Sequence, residues 1–141
     1  MHPVDDSMGA GGQNAKIVFA HMDVQTDLGV LETLTEQGFN VEYDSWGIED
    51  TELIDSLDDS LQLPNDNQRL NNLRKLINDG YINNLIVTQD MFLGLQLQKN
   101  GGKGYSHIID NLILRMKNIG FTQKEIINIL VLNPQRILTF K

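Results

Sequence analysis

Two short apolar runs in this sequence each end in a residue that can bind a metal. The run from Ile17 to Ala20 leads into His21, and the run from Leu85 to Gln89 leads into Asp90. Each run is typical of a buried parallel strand, and α/β folds place their chemistry at the C-terminal ends of such strands. An imidazole binds zinc, and a carboxylate can bind a metal and take a proton from metal-bound water. The pair therefore indicates part of a metal site.

Local patterns leave other roles open for both residues. A histidine at a strand end is often a hydrogen-bonded structural group, and Asp23 nearby is a carboxylate that can fix its tautomer. Asp90 is equally suited to cap the following turn, since aspartate is a preferred N-cap. Asp44 ends the predicted middle strand, where it can support a metal ligand, accept a phosphoryl group or begin a loop.

Composition narrows the classes of partner. The chain has 141 residues, enough for one domain, with eleven basic and nineteen acidic residues and a net charge of −8. We expect no nucleic-acid partner, because an acidic surface repels phosphate backbones. The absence of cysteine excludes thiolate zinc sites and fits a cytoplasmic location. No apolar run approaches the roughly 18–20 residues of a membrane span, and no signal peptide is visible.

The apolar periodicity predicts alternating strands and helices. Residues 1–15 lack periodicity and are predicted to be a flexible leader or a truncated upstream segment. Strands are predicted over 16–21, 40–46 and 84–89, and helices follow each of them, two after the last. The stretch from 47 to 66 is a long acidic connection. This order predicts βαβ units and a parallel sheet.

Several local signals set the predicted helix ends. Thr26 or Asp27 is expected to cap the first helix, and Thr122 with Glu125 forms a capping box for the last. The Asn133-Pro134 pair is expected to break that last helix, leaving 136–140 as a short docked tail.

A sheet of three parallel strands would leave its two outer edges unpaired. Unpaired strand edges expose backbone N–H and C=O groups and invite pairing with another chain. We therefore expect the chain to self-associate or to belong to something larger.

Five segments taken together resemble the C-terminal part of the phosphotriesterase family, within the amidohydrolase superfamily. In chain order they are the residues 19–23 (FAHMD), 42–47 (EYDSWG), 86–90 (IVTQD), 101–108 (GGKGYSHI) and 133–138 (NPQRIL). The resemblance covers 16–141 and implies the last three βα units and the C-terminal helix of a (β/α)₈ barrel. Each segment is weak alone, but their order and spacing make the resemblance specific.

The resemblance also implies a chemistry and a set of site residues. His21 matches the metal histidine of the sixth strand, and Asp90 matches the eighth-strand aspartate that binds metal and accepts a proton. Asp23, Asp44 and Trp46 would support these ligands or line the substrate pocket. The family uses a divalent metal, here expected to be zinc, to activate hydroxide that attacks a lactone, an ester or a phosphotriester. The family ligands of the first, fourth and fifth strands have no counterpart in this chain.

These observations lead to one principal hypothesis and two alternatives. The principal hypothesis is the C-terminal portion of a metal-dependent hydrolase that is inactive alone. Once an upstream barrel half completes it, the assembled enzyme would bind a small ester or lactone. The first alternative is a non-enzymatic barrel fragment or an interaction module that needs a partner chain. The second is a flavodoxin-like receiver domain phosphorylated on Asp44, which is disfavoured because no lysine closely follows the third strand.

Overall fold

A three-stranded parallel sheet lies at the centre of the chain. The computed structural model describes residues 16–48 and 63–139, so the predicted leader and most of the acidic connection lie outside the described residues. The strands are β1 (Val18–Phe19), β2 (Asn40–Tyr43) and β3 (Leu85–Val87), in the order β1-β2-β3. The predicted parallel sheet is confirmed. Its strands are shorter than predicted because turns begin soon after their last paired residues.

Five α-helical segments accompany the strands in the described part of the chain. They are α1 (Leu28–Glu36), α2 (Asp66–Asn78), α3 (Ile113–Asn118), α4 (Gln123–Ile127) and α5 (Asn133–Leu138). A π-helical turn over Ile108–Leu112 leads into α3, and another over Asn128–Leu132 joins α4 to α5. The first three helices follow β1, β2 and β3 in turn, so the alternation predicted from the periodicity is confirmed.

The helix starts show the expected capping chemistry. Asp27 caps α1, where its carboxylate accepts a hydrogen bond from the Gly29 N–H at 2.9 Å. The Thr122 and Glu125 capping box at the start of α4 is also confirmed. A second capping box, formed by Asn65 and Gln68 at the start of α2, was not predicted, and it satisfies donors that an uncapped helix would leave unpaired.

The predicted break at Asn133-Pro134 is wrong. The helical path continues through α5, with Pro134 in its first turn. The preceding π-helical turn has already shifted the hydrogen-bond ladder, so the missing N–H of Pro134 interrupts no regular series.

The core lies between one face of the sheet and the helices. Val41 and Leu85 are paired across β2 and β3, as are Tyr43 and Val87, and all four are buried. Leucine, isoleucine and methionine side chains from the helical segments pack on this face and complete one continuous apolar cluster (Leu31, Leu70, Leu73, Leu76, Leu112, Met116, Ile126, Ile129). This packing fixes the strands, and the strands fix the positions of the residues that follow them.

Helix α5 is hydrogen-bonded to the N-terminal ends of two strands of the sheet. Asn133 donates hydrogen bonds to the carbonyl oxygens of Ile82 and Leu85, both at 2.7 Å, at the start of β3. Arg136 donates to Asn40 at the start of β2 and to the Asn83 carbonyl. The N-terminal ends of two strands are thereby tied to α5, while the C-terminal ends are left to the candidate site.

The outer edges of β1 and β3 have no strand partner within the described ranges, since β2 lies between them. Phe19 of β1 is 36% exposed and contacts the Phe39 ring edge-on at 5.2 Å between centroids.

Across 16–48 and 63–139, no helix combines the length and the apolar character that a membrane crossing requires.

Candidate functional site

His21 lies directly beyond β1 in a strained backbone conformation. Its φ of 57° makes it the one non-glycine residue with positive φ in the described ranges. The left-handed region costs an ordinary L-residue roughly 1–2 kcal/mol, and such strain concentrates at functional sites. The side chain of His21 is 61% exposed. An exposed histidine held in a strained turn is a candidate for binding rather than for core packing.

Asp44 fixes the orientation of the His21 ring. His21 Nδ1 lies 2.9 Å from Asp44 Oδ2, and the Asp44 side chain is only 5% exposed. The hydrogen bond to Asp44 and its negative charge raise the pKa of His21 above its ordinary value. A carboxylate at Nδ1 holds the proton there, which leaves Nε2 as the nitrogen with a free lone pair.

Asp90 follows β3, and its position is fixed by a backbone hydrogen bond to the residue that directly follows β2. Its backbone N–H donates to the Asp44 carbonyl at 3.0 Å, and its own carbonyl accepts from Gln96 Nε2 at 3.0 Å. Its half-buried carboxylate makes no hydrogen bond or ion pair with the described residues. Its negative charge contributes to the raised pKa of His21, so the two groups lie within electrostatic reach of each other.

Asp23 lies beneath these residues and joins two strand ends. Its carboxylate accepts hydrogen bonds from Ser45 N at 2.7 Å and from Ser45 Oγ at 2.9 Å, and the residue is 1% exposed. Burial raises the pKa of Asp23, while the charge of Arg69 and the bonds from Ser45 oppose that rise. Asp23 therefore has the position of a buried support and does not reach solvent.

Arg69 and Asp66 extend this polar cluster to helix α2. The Arg69 guanidinium is fully buried, with Nε 3.3 Å from Asp23 Oδ2 and Nη1 3.3 Å from Asp66 Oδ1. The first contact is a close ion pair without the alignment of a hydrogen bond, as Nε has no hydrogen-bond partner. Sequence patterns missed Arg69, because it lies on the apolar face of a helix where a charge is seldom expected.

Asp66 is held from three further directions. It accepts from the Gly47 N–H at 2.9 Å, from His107 Nε2 at 2.9 Å and from Arg115 Nη1 at 3.2 Å. Burial alone would raise the pKa of Asp66, but the hydrogen bonds from His107 and Gly47 outweigh it and the pKa lies below its usual value. The cluster therefore connects the turn after β2 to α2 and to the start of α3.

Trp46, predicted to support the ligands or line the pocket, is 1% exposed. Its indole N–H donates to the Tyr43 carbonyl at 2.9 Å, and its ring lies 6.1 Å from that of Tyr43. Its backbone carbonyl accepts from Gln89 Nε2 at 2.9 Å, next to Asp90. A pocket role for Trp46 stays a prediction. The contact that the structure shows near Asp90 is made by the Trp46 backbone carbonyl and not by its ring.

The donor set fits a divalent metal in kind and is incomplete in number. His21 offers Nε2 and Asp90 offers a carboxylate, which are both common zinc ligands. No group of three or more His, Asp or Glu in 16–48 and 63–139 lies close enough together to hold a metal ion. A catalytic zinc site normally has three protein ligands, so His21 and Asp90 by themselves do not make up such a site.

Comparison with known proteins gives one consistent match. Residues 8–138 match the model of the phosphotriesterase family. The N-acetyltaurine hydrolase of Salmo salar is 37% identical over 133 residues, which are 94% of this chain and 38% of that protein. The chain therefore spans less than two fifths of the length of this relative.

Solved structures show the same fold. A resiniferatoxin-binding protein from Rhodobacter sphaeroides is 25% identical, with a TM-score of 0.77 over 85% of this chain and 33% of its own. The phosphotriesterase homology protein from Escherichia coli, which holds phosphate in its active site, is 20% identical. Its TM-score is 0.76, over 97% of this chain and 44% of that protein. The predicted fold, part of a (β/α)₈ barrel, is confirmed by this match.

Proposed function

Because the chain belongs to the phosphotriesterase family, we propose that it forms one side of a metal-dependent hydrolase site, with His21 and Asp90 as metal ligands. The observation that carries the proposal is the exposed His21 ring, which buried Asp44 holds at Nδ1 and whose pKa the charge of Asp90 also raises. An imidazole oriented by a carboxylate is the arrangement that metal-binding histidines adopt in proteins.

The chemistry that a bound divalent metal, here zinc, supplies in such a site is Lewis-acid activation of water and of the substrate carbonyl. This chain contributes Nε2 of His21 and the carboxylate of Asp90 as ligands. Asp90 also accepts the proton released when water attacks, since its carboxylate has no competing hydrogen bond among the described residues. Asp44 keeps His21 in the tautomer that leaves Nε2 available.

For the substrate, we propose a small molecule with an N-acetyl amide, of the kind named for the Salmo salar relative. That relative is 37% identical to this chain, whereas the matched organophosphorus hydrolase of Deinococcus radiodurans is 20% identical and supports the fold alone. Lactones, esters and phosphotriesters, which the family resemblance suggests, are the alternative substrates.

We further propose that the chain is inactive alone, because two ligands do not make a catalytic site. Completion would require an upstream barrel half, whose strands would pair with the outer edges of β1 and β3. The alternative is a non-enzymatic interaction module, and the same exposed edges support it. Metal-dependent turnover after completion separates the two.

The test compares the purified chain with the chain co-expressed with the part of the Salmo salar relative that precedes the matched region. With zinc or manganese and N-acetyltaurine, a lactone and an aryl phosphotriester as substrates, we expect turnover only after co-expression. Asp90→Asn should lower that turnover at least about 100-fold, since each lost ligand or proton acceptor costs this much. Asp79→Asn is the matched control, because it makes the same chemical change at an aspartate that pairs with Lys75 at the C-terminal end of α2 and is not part of the proposed site.

Two outcomes would contradict the proposal. Turnover by the chain alone that Asp90→Asn abolishes would show that the site is complete without an upstream half. A stable complex that binds no zinc by calorimetry would favour the interaction module.

A further inference from the structure

We propose that Arg69 is a positioning residue for His21, acting through Asp23, Ser45 and Asp44. The inference deepens the proposed function, since it concerns the residue proposed there as a metal ligand. Arg69 lies on α2 and touches neither His21 nor Asp90. Its influence passes through a continuous set of buried contacts between three elements of the fold.

The first step is the dependence of His21 on Asp44. Asp44 Oδ2 lies 2.9 Å from His21 Nδ1 and also 3.4 Å from the His21 backbone N–H. The ring is otherwise exposed and makes no other hydrogen bond with the described residues. The orientation of the ring therefore follows the position of the Asp44 carboxylate.

The second step is a pair of hydrogen bonds between Ser45 and Asp23, here called the clamp, which fixes the position of Asp44 relative to His21. Ser45, the next residue, donates from its backbone N–H to Asp23 at 2.7 Å and from Oγ to the same carboxylate at 2.9 Å. Ser45 Oγ also lies 3.3 Å from Asp44 Oδ1. Since Asp23 is two residues beyond His21, this clamp ties the turn that carries His21 to the turn that carries Asp44.

The third step is the charge that makes the clamp stable. Asp23 is 1% exposed, and a buried carboxylate without a cation is strongly unfavourable. Arg69 supplies that cation, with Nε 3.3 Å from Asp23 Oδ2 and no exposed surface of its own. Without Arg69, the Asp23 carboxylate would turn toward water, and its hydrogen bonds with Ser45 would be lost.

The far end of Arg69 is fixed independently of the site. Its Nη1 lies 3.3 Å from Asp66 Oδ1, and Asp66 is held in turn by the Gly47 N–H and His107. Arg69 contacts the two carboxylates through two different nitrogens of one planar group, Nε and Nη1, and the single nitrogen of a lysine cannot occupy both positions. The position is therefore specific for arginine as well as for positive charge.

The experiment measures the tautomer of His21 by ¹⁵N NMR of the metal-free chain, at a pH where His21 is neutral. The unsubstituted chain should show mainly the Nδ1–H form, because Nδ1 faces a carboxylate. Arg69→Lys and Arg69→Met should lower the Nδ1–H fraction at least twofold, toward the Nε2–H form that a histidine side chain prefers in water. Arg74→Met is the matched control, since it removes another arginine of the same helix, one whose ion pair is with Glu125.

Each outcome decides the proposal. A twofold loss of the Nδ1–H form in a folded Arg69 variant, with the Arg74→Met control unchanged, would support it. A folded Arg69→Lys or Arg69→Met chain with the original tautomer would overturn it. If Arg69→Met does not fold, Arg69→Lys decides. If neither folds, the role of Arg69 is structural alone and the proposal fails. The readout needs no metal, so it stands or falls separately from the proposed metal site.

Discussion

At the scale of single residues, the site depends on two groups that work against local preferences. His21 adopts a left-handed backbone conformation, and Asp44 keeps a carboxylate 5% exposed beside it. The strained backbone and the buried carboxylate both lower the stability of the fold, and the hydrogen bond between His21 and Asp44 offsets part of this loss. The raised pKa of His21 is the measurable sign of that bond.

The first prediction concerns the pKa of His21. Asp44→Asn should lower it from its raised value toward 6.5, since the hydrogen bond and charge of Asp44 are the main causes of the rise. A raised folded-state pKa stabilises the fold below the unfolded value, and this contribution is lost as the pH rises through the folded-state pKa. The destabilisation by Asp44→Asn should therefore be larger at about pH 5 than at about pH 9.

NMR titration of the His21 ring protons provides the measurement, and urea unfolding provides the stability at each pH. Asp27→Asn is the control, because it makes the same chemical change at a helix cap where asparagine serves equally well. A His21 pKa that does not respond to Asp44→Asn would contradict the geometry of the pair.

At the scale of elements, α2 is joined to α4 by a two-pronged ion pair. Arg74 donates to both carboxylate oxygens of Glu125, at 2.9 and 2.8 Å, and its guanidinium lies 4.8 Å from the Phe121 ring centroid. The Arg74 hydrogen bonds lower the pKa of Glu125 to about 2. The two side chains are about one-fifth exposed, so solvent screens the pair only in part.

The second prediction is a pH-dependent loss of stability in Arg74→Met. At neutral pH the change should cost about 1 kcal/mol of unfolding free energy. A lowered folded-state pKa stabilises the fold above the unfolded value of 4.5, and this contribution is lost as the pH falls through about 2. The difference between Arg74→Met and the unsubstituted chain should therefore shrink over that range.

Urea unfolding at several pH values checks this result. Lys124→Met is the matched control, since exposed Lys124 lies next to Glu125 in sequence and makes no ion pair with the described residues. An equal cost for both variants would mean that the loss comes from net charge and not from the pair.

At the scale of the whole molecule, α5 connects sequence-distant parts of the chain. Asn133 is 3% exposed and reaches two carbonyl oxygens about fifty residues earlier, at Ile82 and Leu85. Lys16 at the start of the described chain donates to the carbonyl oxygens of Arg136 and Thr139. These bonds hold the sheet and the helices together where no further barrel strands are described.

The third prediction follows from those bonds. Asn133→Ala should destabilise the chain by about 2–3 kcal/mol, because it leaves two carbonyl oxygens without their donor. Asn128→Ala is the matched control, since Asn128 makes one long hydrogen bond of 3.3 Å, to exposed Asn83. It should cost less than about 0.5 kcal/mol. Equal costs, measured by thermal or urea unfolding, would show that the Asn133 bonds contribute nothing specific.

The sequence alone determined the order of elements and the family. Apolar periodicity, capping residues and the five matching segments predicted three parallel strands, and the same short-range signals located Asp27 and the Thr122 capping box. These features could be predicted because they depend on residues close together in the chain. The continuity of the helix through Pro134 could not, because it depends on a widened turn that has no sequence signature of its own.

Only the tertiary structure decided what the strand-end residues do to one another. His21 and Asp90 could be singled out by their position after apolar runs, and their role as ligands stays a prediction. The contact of His21 with Asp44, the clamp of Asp23 on Ser45 and the buried Arg69 join residues from separate strands and helices. Such contacts depend on the register of β1 and β2 and on the seat of α2 against the sheet. Packing of the whole domain sets both, and no local pattern encodes them.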